Sequence, residues 1–186
     1  MPNRHFEKLT LFLLIFSFFI IPINGIANTD STQTIARIQP GAVEIGASGS
    51  LTSIDGVSEA TIFLHSQIFK AVSGKSLVGV GGEVGFAHIR SFDQLDIQGN
   101  ISWQQPFANS AIYYFFLLGG GLRFEWLGSF RETLYPAGGN IGIYALISQW
   151  TAFRFDYRFQ RIFGNPISNF NEHRFMIGIS VFLRNK

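Results

Sequence analysis

The sequence predicts an all-β chain: an N-terminal signal peptide, then eight antiparallel strands running as an up-and-down meander that closes into a transmembrane barrel. Three observations carry this. Apolar and polar residues alternate along eight successive segments, which gives each face of a strand its own chemistry. No window of about 11 residues keeps a helical period. The polar face is rich in glycine, opposite an apolar face rich in aromatic rings.

The first 27 residues are set apart. Arg4 and Lys8 form a short basic start, residues 9–23 (LTLFLLIFSFFIIPI) are almost wholly apolar, and Gly25-Ile26-Ala27 supplies small residues at a cleavage site. This is the pattern of a secretory signal peptide, cut after Ala27. The apolar run is short for a spanning helix of roughly 20 residues. A polar stretch, residues 28–40, reads as a flexible leader, and 41–186 as the barrel domain. Removing Arg4, Glu7 and Lys8 lowers the net charge from +2 to about +1. That balance gives no sign of a nucleic-acid partner. The absence of cysteine excludes disulfides, thiolate metal sites and a cysteine nucleophile.

The alternating segments fall near 42–51, 60–70, 77–89, 94–105, 111–126, 139–148, 151–163 and 172–184. Between them lie turn signals such as Ser73-Gly74-Lys75, Pro106-Phe107-Ala108-Asn109, Pro136-Ala137-Gly138 and Gly164-Asn165-Pro166. In TAFRFDYRFQRIF, residues 151–163, Phe153, Phe155, Tyr157 and Phe159 alternate with Arg154, Asp156, Arg158 and Gln160. In the fifth segment Ile112, Tyr114, Phe116, Leu118, Leu122, Phe124 and Trp126 oppose Gly119, Gly121, Arg123 and Glu125. In the fourth, Trp103 closes an apolar series that begins at Leu95.

Alternation alone does not say which face is inside. An eight-stranded barrel has an interior only just wide enough for ordinary side chains, and the bulky residues of the apolar face would not fit there. The glycines belong where space is short. The apolar face therefore meets lipid, with Trp103, Tyr114, Phe116, Trp126, Phe153, Phe155, Tyr157 and Phe159 as its aromatic members. Segment length agrees, because a strand crossing a bilayer at a tilt needs about 9 to 11 residues. Tyr114 and Trp126 stand where two interfacial aromatic belts would lie.

The lumen then receives Glu44, His65, Glu83, Asp96, Arg123, Glu125, Arg154, Asp156, Arg158 and Arg174. Acids and arginines nearly cancel, which fits a network of ion pairs, with adjacent strands supplying opposite signs. For Arg154 and Arg158 the candidate acids are Glu125 and Glu83. Phe63, Phe69 and Tyr144 also fall at lumen positions.

The chain resembles the small eight-stranded outer-membrane barrels of Gram-negative bacteria, the group of the OmpA transmembrane domain, OmpX and the opacity proteins, over Gly41 to Lys186. The end of the chain, Met176 to Leu183, looks like the C-terminal signal read by the barrel assembly machinery, with Gly178, Val181 and Leu183 as its matching positions. Met176 stands where that signal has a polar residue, and Arg184-Asn185-Lys186 extend past it. The resemblance implies an outer-membrane location with both termini periplasmic. Turns near 71–76, 106–110 and 149–150 are then periplasmic, and loops near 52–59, 90–93, 127–138 and 164–171 are external. The third of these carries Arg131, Glu132 and Tyr135.

His65 reads as a hydrogen-bonded lumen filler, and His88 and His173 as interfacial residues. Ser168, Glu172 and His173 near the rim have the residue types of a nucleophile, an orienter and a base, but such a trio in a polar loop is common by chance. No phosphate loop, metal-ligand spacing or nucleophile elbow appears. The expectation is a monomeric, non-enzymatic, porin-like protein without metal or cofactor. Its barrel anchors short surface loops, serving envelope integrity or surface contact, with outer-membrane lipid or lipopolysaccharide around it and the assembly machinery as partner. The alternatives are a narrow channel for small or apolar solutes and a lipid-modifying acyl hydrolase or transferase.

Overall fold

The computed structural model describes residues 36–54, 57–89, 92–108, 110–164 and 169–184. The expected signal peptide and the leader through residue 35 lie outside them, as does Ser168. Eight strands follow one another: β1 (Ala42–Ile54), β2 (Val57–Ser73), β3 (Ser76–Ile89), β4 (Phe92–Pro106), β5 (Ile112–Leu127), β6 (Phe130–Leu146), β7 (Thr151–Phe163) and β8 (Phe170–Arg184). Each pairs antiparallel with the next, and β8 pairs with β1 to close the barrel.

The strand pairing fixes the geometry of the wall. Direct cross-strand partners lead from Val43 through Ile68, Val80, Ile101, Leu118, Gly139 and Phe159 to His173. The β1–β8 register, carried three residues past Ser50↔Met176, then returns to Ser53 on β1. The start and the return are ten residues apart, so the wall has a shear of ten. Strands of such a barrel tilt by roughly 35–45°.

Burial follows the sequence alternation. Along β7 the even positions Ala152, Arg154, Asp156, Arg158, Gln160 and Ile162 are buried, while Phe153, Phe155 and Phe159 face outward. Glycine on the inner face makes room for large neighbours. A methyl at Gly85 would sit 2.4 Å from a ring carbon of Phe63, and one at Gly46 would sit 2.3 Å from His65 Nε2.

One expected loop is a strand. Residues 130–138 belong to β6, and the hairpin turns instead at Gly128-Ser129, where Gly128 has a φ of 61°. Pro136 misleads because it reads as a turn signal. In the barrel it pairs with Ile162 on β7, while the β5 ladder skips from Gly120↔Ala137 to Arg123↔Leu134. A proline has no N–H to give, and the break falls on the one side where that N–H is missed. Arg131, Glu132 and Tyr135 are therefore wall residues.

The end of the expected flexible leader is ordered against the barrel. Ile38 is 5 % exposed and its N–H donates to the Tyr113 hydroxyl at 3.2 Å. The Gly41 N–H donates to the Phe69 carbonyl at 2.7 Å. Ile38 joins Phe69, Leu77, Tyr113, Phe115, Tyr144 and Phe182 in an apolar floor across the end of the barrel where β1 begins and β8 ends. An apolar side chain offered to that pocket removes both from solvent, which is why this part of the leader packs.

The charged interior as the candidate functional site

β7 gives the order of the interior, from Ala152 in the apolar floor to Ile162 at the opposite, hairpin end. Just above the floor, the Glu44 carboxylate is fully buried and is the acceptor for a converging set of groups. Ser180 Oγ donates to it at 2.5 Å and Tyr144 Oη at 3.1 Å, Gln67 Nε2 donates as well, and His65 Nε2 lies 3.1 Å away. Beside it Arg154 donates to both oxygens of Asp156, at 3.1 and 3.2 Å, two positions along the same strand. The Arg154 guanidinium also lies 4.7 Å from the Phe115 ring centre, a cation–π contact.

The middle of the lumen is crossed by Arg158. Its Nη1 lies 2.6 Å from Glu83 Oε1 and its Nη2 2.7 Å from Oε2, a two-pronged pair. Its Nε donates to Asn140 at 3.2 Å, and the Phe63 ring lies 4.5 Å beneath it. Nearer the hairpin end Arg123 is shared between two acids. It donates to Asp96 at 2.7 and 3.1 Å and to Glu172 at 3.0 and 2.9 Å. Arg174 donates to the same Glu172 at 2.6 Å and also to Thr61 Oγ1.

The four arginines are each about 1 % exposed. A buried charge is costly unless paired and hydrogen-bonded, and each of these has a carboxylate. The partners correct the expectation of adjacent strands. Asp96 on β4 neighbours Arg123 on β5, but Glu83 on β3 is four strands from Arg158 on β7, and Glu172 on β8 is three from Arg123. Arg154 meets Asp156 rather than Glu125, and Glu125 lies farther toward the hairpin end, in register with Gln94 and Glu132. Side-chain length decides this, because an arginine and a glutamate together span so narrow an interior.

The fold matches known architectures. The barrel superposes on Neisserial surface protein A with a TM-score of 0.55 and 11 % identity, covering 75 % of this chain and 95 % of that one. It superposes on the N-terminal β-barrel domain of Pseudomonas aeruginosa OprF with a TM-score of 0.54 and 12 % identity, covering 77 % and 98 %. The fold is that of the small outer-membrane barrels. No family model and no curated protein sequence matches the chain.

In an outer-membrane barrel fold the parity of a strand assigns every side chain to lumen or lipid, and Glu172 is a lumen residue that sequence reasoning missed. It shares parity with Arg174, and that signal was available; proximity to His173 in sequence obscured it. Adjacent strand residues point to opposite sides. Glu172 turns inward to Arg123 and Arg174, whereas His173 turns outward, bonds to the Tyr157 hydroxyl and lies against the Phe159 ring. Glu172 therefore does not orient His173 as a base. His88 pairs with Asp93 on the outer surface at 2.5 Å. Among the described residues no group of three or more His, Asp or Glu side chains is placed to hold a metal.

Trp103, Tyr114, Phe116, Phe153, Phe155 and Phe159 all face outward and exposed, with Trp126 and Tyr157 partly covered. Trp103 and Tyr114 contact edge to face at 5.5 Å. In the last strand Gly178 faces inward, where a methyl would lie 2.5 Å from the Ala47 carbonyl, and Leu183 faces outward. Val181 is partly covered on that same outer face.

Proposed function

We propose that the chain is an integral protein of the bacterial outer membrane, non-enzymatic and monomeric, with its termini at the periplasmic side and its hairpin ends outside. It anchors very short surface turns on a rigid wall and serves envelope integrity or surface contact. The assembly machinery reads its last strand through Gly178, Val181 and Leu183, and outer-membrane lipid covers its aromatic face. The observation that carries this reading is the crossing of the lumen by Arg158–Glu83 and by Arg123 with Asp96 and Glu172. With the apolar floor below, this network leaves the barrel a filled post rather than a pipe. Purified protein in planar bilayers then gives at most small, rare conductance events, and liposomes carrying it swell in sugar no faster than empty ones. Steady conductance proportional to salt overturns the reading.

A narrow channel is the second reading. It is favoured by Ser48 Oγ, Ser50 Oγ, His65 Nδ1 and Asn100 Oδ1, which are buried without a hydrogen-bond partner among the described residues and would welcome water. The same bilayer measurement separates the two. The lipid-modifying reading predicts altered lipid A in cells that carry the protein, checked by mass spectrometry.

A further inference from the structure

Arg161 is the one feature of β7 that breaks its outward aromatic series, standing between Phe159 and Phe163 two residues from the hairpin end. It is partly exposed, and among the described residues its partner is the neutral Asn171 on β8, where Nη1 donates to Oδ1 at 3.0 Å. The outward neighbours on β6 are Tyr135, Ala137 and Gly139, and on β8 Asn171 and His173; none is acidic. The nearby Glu172 points inward and is held by Arg123 and Arg174. A cation on the lipid side of a barrel is tolerated at the interface and costly deeper in. Arg161 therefore sits at the level of the outer headgroups with charge to spare.

The wall beside it is unusually low. Arg161 lies directly across from Ala137, Ala137 from Gly120, Gly120 from Gly99 and Gly99 from Gly82. At Gly99 a methyl would meet nothing within 4 Å, so the wall itself does not require glycine there. Just below Gly99 an apolar trough of about 720 Å³ runs between Val80, Ile101 and Leu118, with Trp103 and Phe116 at its foot. Because the shear carries this row downward from β7 to β3, it slopes from the headgroup level into the hydrocarbon. Its four strand spacings amount to roughly 19 Å, which at a strand tilt of roughly 35–45° descends about 11–13 Å, most of the depth of one leaflet, about 15 Å.

We propose that Arg161 and Asn171 hold a phosphate of an outer-leaflet glycolipid, with one of its acyl chains laid over Ala137, Gly120 and Gly99 into the trough. The cation supplies a charge-assisted contact to a phosphate oxygen, Asn171 fixes the direction of the guanidinium and offers its own amide N–H, and the missing side chains let the acyl chain approach the backbone. The inference rests on the outer-membrane placement above and not on a closed lumen.

The test is native mass spectrometry of the detergent-extracted full chain, titrated with a bisphosphorylated acyl disaccharide, its dephosphorylated form, or inorganic phosphate alone. The bisphosphorylated lipid forms a one-to-one adduct. Removing its phosphates or making Arg161→Gln weakens that adduct by about tenfold, and Gly99→Leu weakens it severalfold while leaving the folded gel mobility unchanged. Inorganic phosphate alone leaves no adduct. Equal binding by wild type and Arg161→Gln, or by wild type and Gly99→Leu, overturns the site. Insertion into vesicles is scored in the same samples: a chain that does not insert refutes the membrane placement, and one that inserts but binds without these preferences refutes only the glycolipid site.

Discussion

Arg158 on β7 and Glu83 on β3 meet across the full width of the barrel, Nη1 to Oε1 at 2.6 Å, four strands apart by either route around the wall. Neither residue has a comparable partner of opposite charge beside it on its neighbouring strands, where Arg158 faces Asn140 and Arg174, and Glu83 faces His65 and Gln98. The pair joins opposite walls, so its loss acts on the whole cross-section.

Removing one member of this pair leaves a buried charge uncompensated. Glu83→Gln and Arg158→Met should each lower the unfolding free energy by about 3 kcal/mol, read as the urea midpoint of the folded gel form in liposomes. The double variant should recover part of the loss. A double-mutant cycle with no coupling would remove the pair from the account of stability.

The outward face is tested by Phe155→Arg. Phe155 faces outward near the middle of β7, and a cation there costs roughly 2–4 kcal/mol at the bilayer midplane, so folding into vesicles should fail or slow strongly. Gln98→Ala, which loses a hydrogen bond with Gln160 inside the lumen, should still insert with a loss of about 1 kcal/mol. Equal folding of Phe155→Arg and wild type would invert the face assignment.

Packing inside the wall is tested by Gly85→Ala. The added methyl would lie 2.4 Å from the Phe63 ring, and forcing it in should cost about 1–3 kcal/mol. Trimming the ring with Phe63→Leu in the same chain should restore most of that. No rescue would mean the strain lies elsewhere.

Occlusion is tested by emptying the middle of the lumen. Wild type should be nearly silent in planar bilayers, while Glu83→Ala with Arg158→Ala should give steady, salt-dependent conductance. If the double variant stays silent while still folded, the floor at Phe69, Tyr113 and Phe182 is the seal.

The strand count, the order and the inward or outward direction of most side chains were legible in the sequence, because a period of two needs no knowledge of the partner strand. Arg154, Asp156 and Arg158 could be put on one face on that basis, and on the inner one because the bulky rings opposite them do not fit so narrow a lumen. Glu83 stood among the candidate acids and does meet Arg158, but it was expected from a neighbouring strand; which acid reaches which arginine across the lumen could not be read. That depends on the shear of ten, a property of the closed sheet, and it brings Glu83 rather than a neighbour to Arg158. Pro136 failed for a different reason: its turn preference is local, whereas its tolerance inside β6 depends on β7 supplying the ladder that β5 gives up. Ile38 failed because an isolated apolar residue in a polar stretch has no period to reveal it.

The segment before β1 also has a mechanical meaning. A cylinder of strands is stiff along its length but soft to flattening, since a small change of twist at each seam turns a circle into an oval. Ile38 binds the Tyr113 hydroxyl on β5, four strands from β1, while Gly41 binds Phe69 on β2. The strap is thus a chord drawn across the rim, holding apart and together two walls that share no seam. An oval rim would stretch that chord or slacken it, so the strap resists the breathing of the terminal end much as a spoke keeps a hoop round.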